Sequence, residues 1–193
     1  IQAAAAMAQI AEQAGQAGPN HFSPDANLLD ELDGVFARYG EDGTGIHRHY
    51  LHDEIDAARF GQSPGTFTEW RELPAHTDLL FYEGLHGGVV TDRVDLARHV
   101  DLLIGVVPTI NLEWIQKVLR DTRERGYATE AVQETILHRM SDYVHSIVPQ
   151  FSRTDINFQR VPIVDTSNPF VAREIPTLDE TLVVIRFRDP RSA

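Results

Sequence analysis

The chain has 193 residues, of which 42% are hydrophobic and 24% are charged, a composition typical of a globular domain. This composition excludes a disordered or collagen-like chain, and the length predicts a single domain over residues 1–193. Lys and Arg total 17 against 29 Asp and Glu, so the formal net charge is -12, which argues against nucleic acid as a partner.

The cysteine content and the length of the apolar runs indicate the cellular compartment of the protein. The sequence contains no cysteine, which excludes disulfides and thiolate metal ligands within it. Its longest apolar runs, such as Leu79–Tyr82 and Leu102–Pro108, are far shorter than the roughly 20 residues of a membrane span. No basic start with a cleavage site is present either. We therefore expect a cytoplasmic protein without a membrane partner.

The first half of the chain predicts two helices and a loop-rich region. Ala, Gln and Glu over Ile1–Ala17 favour a helix that ends before Pro19. A second helix is expected to open at Ser23–Asp25 and to stop near Gly40. The stretch Glu41–Thr68 is rich in Gly, Asp, His and charged residues, which predicts loops with only short regular pieces.

The second half predicts strands that alternate with helices. Strands are expected over Asp78–Tyr82, Leu102–Val107, Arg160–Val164 and Thr181–Phe187, the first of them buried. Helices are expected over Leu112–Arg125, capped by Asn111 and ended by Gly126, and over Glu130–Val148. Such alternation predicts an α/β architecture with a largely parallel sheet.

The helix over Leu112–Arg125 divides into two faces at about 100° per residue. Its apolar side carries Leu112, Ile115, Val118 and Leu119, and its polar side carries Glu113, Lys117, Arg120, Asp121 and Glu124. One interpretation is a solvated face held by ordinary ion pairs. The other is a cationic wall that faces a phosphate, because Lys117, Arg120 and Arg125 are concentrated in an acidic protein.

Two further features suggest chemistry. Glu83 directly follows the expected strand Asp78–Tyr82, and a carboxylate at the carboxyl end of a strand can hold Mg²⁺ directly or through water. His47, His49 and His52 could suggest a metal cluster, but their spacing lacks a fixed ligand signature. A polar loop that grips a sugar phosphate is the better interpretation of the histidines.

Longer motifs resemble a known family. One stretch of the sequence resembles the signature of phosphoribulokinases. It consists of Lys117–Asp121 and Arg125–Glu130, which three residues separate. The surrounding segments resemble the bacterial form of that enzyme: Leu80–Gly87, Ile110–Lys117, Val148–Ser152, Thr154–Pro162 and Asp165–Phe170. The likeness runs from about His21 to Arg191. It implies a P-loop NTPase-like fold of the nucleoside and uridine kinase type, a mixed, largely parallel sheet flanked by helices.

The resemblance implies a kinase that transfers the γ-phosphate of ATP to D-ribulose 5-phosphate, giving ribulose 1,5-bisphosphate for carbon fixation in the Calvin cycle. It also implies Mg²⁺, held by Glu83 and by Asp121, the second essential carboxylate. Lys117 and Arg120 would be catalytic and substrate-binding residues that neutralise phosphate charge, while Arg125, Tyr50 and His52 would bind substrate. These roles fit a reaction that depends on positioning and on cations around developing charge.

Some parts of the family pattern are absent from this sequence. Ala128 stands where the signature usually has a hydroxyl residue, although Thr129 beside it could cap the next helix. No G-x-x-x-x-G-K-[ST] phosphate loop occurs, and the family's catalytic Asp would precede Ile1. A family extension after Arg191 is also lacking. We therefore expect an N-terminally incomplete kinase domain that is inactive, or nearly so, by itself.

The bacterial relatives also imply a form of regulation. They form octamers that NADH activates and AMP inhibits, so the resemblance implies an octameric homo-oligomer here. Arg139 matches a position linked to that allosteric response, and Arg186 is a second candidate. For Arg139 a plain surface arginine is an equally good interpretation.

Two other functions stay open from the sequence. A uridine-kinase-like nucleoside kinase would share the metal-binding strand but should lack the signature from Lys117 to Glu130. A truncated paralogue or fragment could instead serve assembly or regulation without catalysis. The sequence encoded upstream of Ile1 separates this last possibility from a working kinase.

Overall fold

The computed structural model describes residues 20–51, 53–189 and 191. They fall into two compact units, the first ending at Asp101 and the second beginning at Leu102. The helix expected over Ile1–Ala17 lies outside the described residues. The single domain expected over residues 1–193 stays a prediction.

The first unit consists mostly of loops around one long helix. Its elements are a 3₁₀ turn (Pro24–Ala26), helix α1 (Leu29–Asp42), strand β1 (Ile46–His47), helix α2 (Glu54–Phe60), strand β2 (Arg71–Glu72) and a 3₁₀ turn (Leu96–His99). Strands β1 and β2 pair antiparallel. The loop-rich character expected for Glu41–Thr68 is confirmed, because apart from the last two residues of α1 the described residues there form only the short elements β1 and α2.

The helix expected to open at Ser23 is present in two pieces. The Ser23 hydroxyl accepts from the Asp25 amide and so caps the 3₁₀ turn. Asn27 then adopts an extended backbone conformation, and its side-chain amide donates to the Ser23 carbonyl oxygen at 2.8 Å. This contact favours the break, because an asparagine bonded to local backbone competes with helix formation. Helix α1 therefore begins only at Leu29.

The expected buried strand over Asp78–Tyr82 is wrong. This segment forms no regular structure, and Leu79 and Phe81 are 78% and 79% exposed. Leu80 packs against the core of the first unit, which Leu29, Phe36, Val89, Val94 and Leu96 form. The Tyr82 ring meets Phe36 edge-on at 5.2 Å. Only alternate residues of the run face the core, and no described strand pairs with its backbone.

Aromatic rings in the first unit hold an arginine. The Arg48 guanidinium carbon lies 4.1 Å from the centre of the Phe67 ring and 4.4 Å from that of Trp70. Each contact is a cation–π interaction of favourable geometry. Together they fasten the chain after β1 to the segment that leads into β2.

The second unit is built on a mixed sheet. Its elements are strand β3 (Ile104–Val107), helix α3 (Ile110–Arg123), helix α4 (Thr129–Asp142), a π-helical turn (Tyr143–Ile147), a 3₁₀ turn (Val148–Ser152), strand β4 (Ile156–Pro162) and strand β5 (Thr181–Phe187). Strands β3 and β4 are parallel, with Ile104 opposite Ile156. Strands β4 and β5 are antiparallel, with Ile156 opposite Phe187. The expected mixed sheet with helices is confirmed.

Most of the expected elements of this unit are confirmed, with changes at their ends. Strand β5 has the predicted bounds, and β3 lies inside the predicted range. Helix α3 begins two residues early, so Thr109 and not Asn111 occupies the cap position. Helix α4 likewise begins at Thr129, after Ala128 at its cap, so Thr129 does not act as the cap.

The core of the second unit joins its two helices. Val118 of α3 packs with Val132 and Ile136 of α4. At the edge of this cluster the Trp114 ring stacks on Phe170 with ring centres 5.4 Å apart. This stack holds the loop between β4 and β5 against α3. None of the helices among the described residues has the length and apolar character to cross a membrane.

We expect Ile136→Ala to destabilise the protein by about 2–5 kcal/mol, because it removes a buried side chain and leaves a cavity beside Val118. The matched control is Leu137→Ala, one residue along the same helix. Leu137 is 59% exposed, against 6% for Ile136, so its loss should cost less than about 0.5 kcal/mol. Urea denaturation measures both, and equal effects would contradict this packing.

Candidate functional site

The polar face of helix α3 contains a buried aspartate. The Asp121 side chain is 5% exposed, although the face predicted for it is polar. An aspartate is rarely buried unless its charge is paired. The interpretation of this face as an ordinary solvated surface therefore does not fit Asp121.

Three cations surround the Asp121 carboxylate. Lys117 Nζ donates to Oδ2 at 2.5 Å, while Arg120 Nε and Arg125 NH1 donate to Oδ1 at 3.0 and 3.1 Å. Lys117 lies one helical turn before Asp121, where side chains share a face, and Arg125 follows Asp121 by four residues, just beyond the end of α3. The structure therefore brings together four of the residues that the sequence singled out.

The cations control the ionisation of Asp121. Burial raises the pKa of its carboxyl, but the hydrogen bonds and positive charges of Lys117 and Arg120 outweigh burial. The net result is a pKa below the ordinary value, so Asp121 is ionised at neutral pH.

The cluster of Lys117, Arg120, Asp121 and Arg125 carries an excess of positive charge. Three cations meet one carboxylate, which leaves a formal charge of +2. The side chains of Arg120 and Arg125 are about half exposed, and each uses one nitrogen on Asp121. Because a guanidinium has five N–H donors, both arginines keep donors for a further anion. The arrangement suits recognition of a phosphate group.

The chain after α3 supports this geometry. Gly126 has φ +72°, a left-handed conformation that favours glycine, and the turn lets the Tyr127 amide donate to the Asp121 carbonyl oxygen at 3.1 Å. Arg123, in contrast, donates to the carbonyl oxygen of Arg173. Arg125, just after the end of α3, thus contacts the cluster, whereas Arg123 at the end of α3 contacts the loop between β4 and β5.

Glu113 is a residue that the sequence analysis did not select as a candidate. It lies one turn before Lys117, and its Oε2 atom is buried without a hydrogen-bond partner among the described residues. Burial raises the pKa of its carboxyl, although the Lys117 charge opposes the change. Burial also raises the pKa of Tyr143, and the Glu113 charge adds to that effect. The i, i+4 spacing to Lys117 is the signal that could have identified Glu113.

Candidates in the first unit are described separately from this cluster. Glu83 is exposed, in the irregular segment that replaces the expected strand. Tyr50 forms an isolated antiparallel bridge with Phe67, and the two rings lie 5.0 Å apart. His52 lies outside the described residues.

The histidine motif contains a ring contact. His47 and His49 have ring centres 5.3 Å apart, and His49 also lies 5.6 Å from Phe60. Within the described part of the chain, no group of three or more His, Cys, Asp or Glu side chains is arranged to hold a metal ion. A magnesium ion on Glu83 or Asp121 would therefore need phosphate oxygens and water as its other ligands.

The two regulatory candidates lie in the second unit. Arg139 is in the last turn of α4 and is partly buried. Arg186 is exposed on β5, opposite Asn157 of β4. The structure places them on different elements, and their roles stay predictions.

Comparison with known proteins identifies relatives over most of the chain. The model of the phosphoribulokinase / uridine kinase family matches residues 2–167. The chromosomal phosphoribulokinase of Cupriavidus necator is 65% identical over 181 residues, which are 94% of this chain and 62% of that protein. The phosphoribulokinase of Rhizobium meliloti is 66% identical over 172 residues, 89% of this chain and 59% of that protein.

A solved structure agrees with these relatives. Phosphoribulokinase from Rhodobacter spheroides aligns with a TM-score of 0.81 and 60% sequence identity, over 93% of this chain and 62% of that one. The chain thus spans about three-fifths of the length of the proteins that it matches.

We expect Asp121→Asn to lower the free energy of unfolding by about 1–3 kcal/mol at pH 7, because the three cations lose their shared counter-ion. The Asp121 pKa lies below its ordinary value of 3.8 in the folded protein, so this stabilisation is present above about pH 4. It is lost as the pH falls through the folded pKa.

Urea denaturation between pH 3 and pH 7 measures the effect, with the exposed Asp179→Asn as the control. The difference between wild type and Asp121→Asn should shrink below about pH 4. A difference that grows there would contradict the assigned ionisation, and so would an Asp179→Asn variant that behaves like Asp121→Asn.

Proposed function

The chain belongs to the phosphoribulokinase / uridine kinase family, and from this we propose that it is part of a phosphoribulokinase. Such an enzyme transfers the γ-phosphate of ATP to D-ribulose 5-phosphate and yields ribulose 1,5-bisphosphate. The observation that carries the proposal is the cluster of three cations on Asp121, since it suits a phosphorylated substrate. Relatives named phosphoribulokinase at 60–66% identity support the same choice.

The cluster also weighs against the alternative of a nucleoside kinase. The phosphoryl acceptor of a uridine kinase carries no phosphate, so ATP would be the one phosphorylated substrate available to the spare donors of the two half-exposed arginines. A sugar phosphate instead presents a dianion that a cluster of charge +2 can neutralise. A fragment that serves only assembly would not need three cations around a buried carboxylate.

We assign the roles as follows. Lys117 and Arg120 neutralise charge on phosphate oxygens, and Arg125 binds the substrate phosphate. Asp121 holds all three in place, so its main effect on the transition state is through them. Phosphoryl transfer depends mainly on positioning and on electrostatic stabilisation, which rigidly held cations supply without reorganisation. Tyr50 and His52 are proposed to bind the sugar phosphate from the first unit.

Two carboxylates are proposed for magnesium. Mg²⁺ prefers oxygen ligands, and Glu83 offers an exposed carboxylate. Both oxygens of Asp121 already accept hydrogen bonds from cations, so Asp121 fits a metal only if one cation moves. When bound, Mg²⁺ would neutralise the negative charge that develops during phosphoryl transfer.

The remaining proposals follow from the resemblance of the sequence to bacterial phosphoribulokinases. We propose a cytoplasmic homo-oligomer, an octamer, that NADH activates and AMP inhibits. Arg139 and Arg186 are the candidate residues for that response. The distinct surroundings of the two arginines allow each to be tested by a single substitution.

The activity is tested on the natural protein that contains this chain, because the chain alone spans only about three-fifths of its relatives. An ADP-release assay with ATP and Mg²⁺ should show turnover with ribulose 5-phosphate and none with uridine. Turnover with uridine alone would identify a nucleoside kinase. An absence of turnover with either would support the non-catalytic alternative.

We expect Arg125→Gln to reduce kcat/KM for ribulose 5-phosphate by at least about tenfold, mainly through KM, because a charged donor to the phosphate is lost. Arg123→Gln is the matched control, since Arg123 lies two residues away and contacts the Arg173 carbonyl instead of Asp121. Its kcat/KM should stay within about threefold of wild type. Equal losses in both variants would argue against a specific role of the cluster.

A further inference from the structure

Arg48 is held by aromatic rings instead of by a counter-ion. Its guanidinium carbon lies 4.1 Å from the centre of the Phe67 ring and 4.4 Å from that of Trp70. Among the described residues, no carboxylate pairs with Arg48 and no acceptor takes a hydrogen bond from its guanidinium. Arg93 of the same unit, in contrast, forms an ion pair with Asp30 at 3.1 Å. The structure therefore fixes the position of the Arg48 cation without neutralising its charge.

The strand pairing around Arg48 contains a β-bulge. His47 of β1 lies opposite Arg71 of β2. Further along the chain, Tyr50 lies opposite Phe67. Two residues therefore separate these pairs on the first segment and three on the second, which is the residue count of a bulge. The extra residue changes which side chains of the second segment share a side.

The bulge allows Phe67 and Trp70 to contact the same guanidinium. Side chains three residues apart point to opposite sides of a regular strand, and an extra residue shifts this alternation. Buried Thr68 holds the bulge in place. Its amide donates to the His49 carbonyl oxygen, and its hydroxyl oxygen accepts from the His49 amide, each at 2.9 Å. Backbone pairing therefore positions the two rings that contact Arg48.

The rings leave the hydrogen-bond donors of Arg48 available. A guanidinium has five N–H donors, and an aromatic face attracts its charge without supplying a strong acceptor. Arg48 is partly exposed, so an anion in solution can reach it. An incoming phosphate would have to displace a carboxylate partner, whereas it can bind a ring-held guanidinium directly. The arrangement therefore suits an anion with several oxygen acceptors.

Tyr50 indicates which anion this is. Arg48 and Tyr50 are two residues apart, the spacing at which side chains of a paired segment lie on one side. Both contact Phe67, since the Tyr50 ring centre lies 5.0 Å from that of Phe67. Arg48 thus lies on the same ring as a residue that is proposed to bind the sugar phosphate.

We propose that Arg48 binds the phosphate group of the sugar phosphate substrate through guanidinium donors that Phe67 and Trp70 hold in position. The contact is a charged hydrogen bond, and no covalent step is involved. This inference rests on the proposed function of the chain and on the role assigned there to Tyr50.

The test measures binding of ribulose 5-phosphate to the natural protein that contains this chain, by isothermal titration calorimetry without ATP. Arg48→Met removes the guanidinium and keeps a flexible apolar side chain against the rings. We expect its dissociation constant to rise at least about tenfold, because a charged donor to the phosphate is lost. Arg71→Met is the matched control, since Arg71 is exposed on β2 and lies 5.9 Å from the Phe60 ring. Its dissociation constant should stay within about twofold of wild type.

A double-mutant cycle with Trp70→Leu tests whether the ring acts through Arg48. Alone, Trp70→Leu should weaken binding of ribulose 5-phosphate about threefold, since the guanidinium loses one of its two supports. In the Arg48→Met background it should have no further effect. A loss that persists in that background would overturn the positioning by Trp70, and an unchanged dissociation constant in Arg48→Met would overturn the whole proposal.

Kinetics distinguish the sugar phosphate from ATP as the source of the bound phosphate. In the ADP-release assay, Arg48→Met should raise KM for ribulose 5-phosphate and leave KM for ATP unchanged. A rise in KM for ATP alone would overturn the assignment to the sugar phosphate. If Arg48→Met fails to fold, Arg48→Lys replaces it. Lysine keeps the charge and loses the planar fork, so it should give a smaller rise in KM for ribulose 5-phosphate.

Failure of the proposed function gives a different result. A wild-type protein that binds no ribulose 5-phosphate would lose the kinase assignment, and inorganic phosphate then becomes the probe. Weaker phosphate binding in Arg48→Met would retain the anion site, and equal binding would overturn it. A protein that phosphorylates ribulose 5-phosphate with an unchanged KM in Arg48→Met keeps the kinase assignment and loses this inference alone.

Discussion

The chemistry of the second unit depends on one interaction, the pairing of the buried Asp121 carboxylate with three cationic side chains. It fixes one lysine and two arginines that would otherwise repel one another and point into solvent. Long cationic side chains have many rotamers, and pairing with Asp121 restricts them. Substrate binding then loses less side-chain conformational entropy. The anchor also leaves the group with a net positive charge. The same residue therefore provides order and selectivity for anions.

The architecture around Asp121 serves this anchor. The apolar face of α3 packs on α4 through Val118, which fixes the orientation of the helix that carries Asp121. Gly126 reverses the chain right after the helix and brings the Tyr127 amide onto the carbonyl oxygen of Asp121. The backbone and the side chain of Asp121 are thus both fastened. Substitutions far from the cluster, such as those in the α3–α4 core, should therefore alter the arrangement of its side chains.

The sequence predicted the second unit better than the first, and the reasons are local. Thr181–Phe187 is a continuous β-branched and apolar run with a partner strand nearby, and it forms β5 as predicted. Asp78–Tyr82 is also largely apolar, but it contains no β-branched residue and has no described partner strand, so its backbone stays irregular. Helix ends were less predictable, because Asn111 and Thr109 are both plausible caps and tertiary packing decides between them.

The candidate site was predictable in its residues and less so in its arrangement. Spacing placed Lys117 and Asp121 on one helix face, and the family signature added Arg120 and Arg125. Neither could show that the aspartate is buried or that Glu113 has an unpaired oxygen, because burial depends on contacts between elements distant in sequence. In the first unit, Glu83 was predicted from its place after an expected strand and His52 from the histidine-rich loop, whereas Tyr50 followed from the resemblance alone.

The stack of Trp114 on Phe170 gives the second unit a natural optical reporter. The chain has two tryptophans, and Trp70 belongs to the first unit, where it lies beside Arg48. Trp114 directly follows Glu113 in helix α3 and lies three residues before Lys117. Within these 193 residues, Trp70→Phe would leave Trp114 as the one tryptophan, so their tryptophan emission would come from the second unit. Its fluorescence would report events on α3 without any added label.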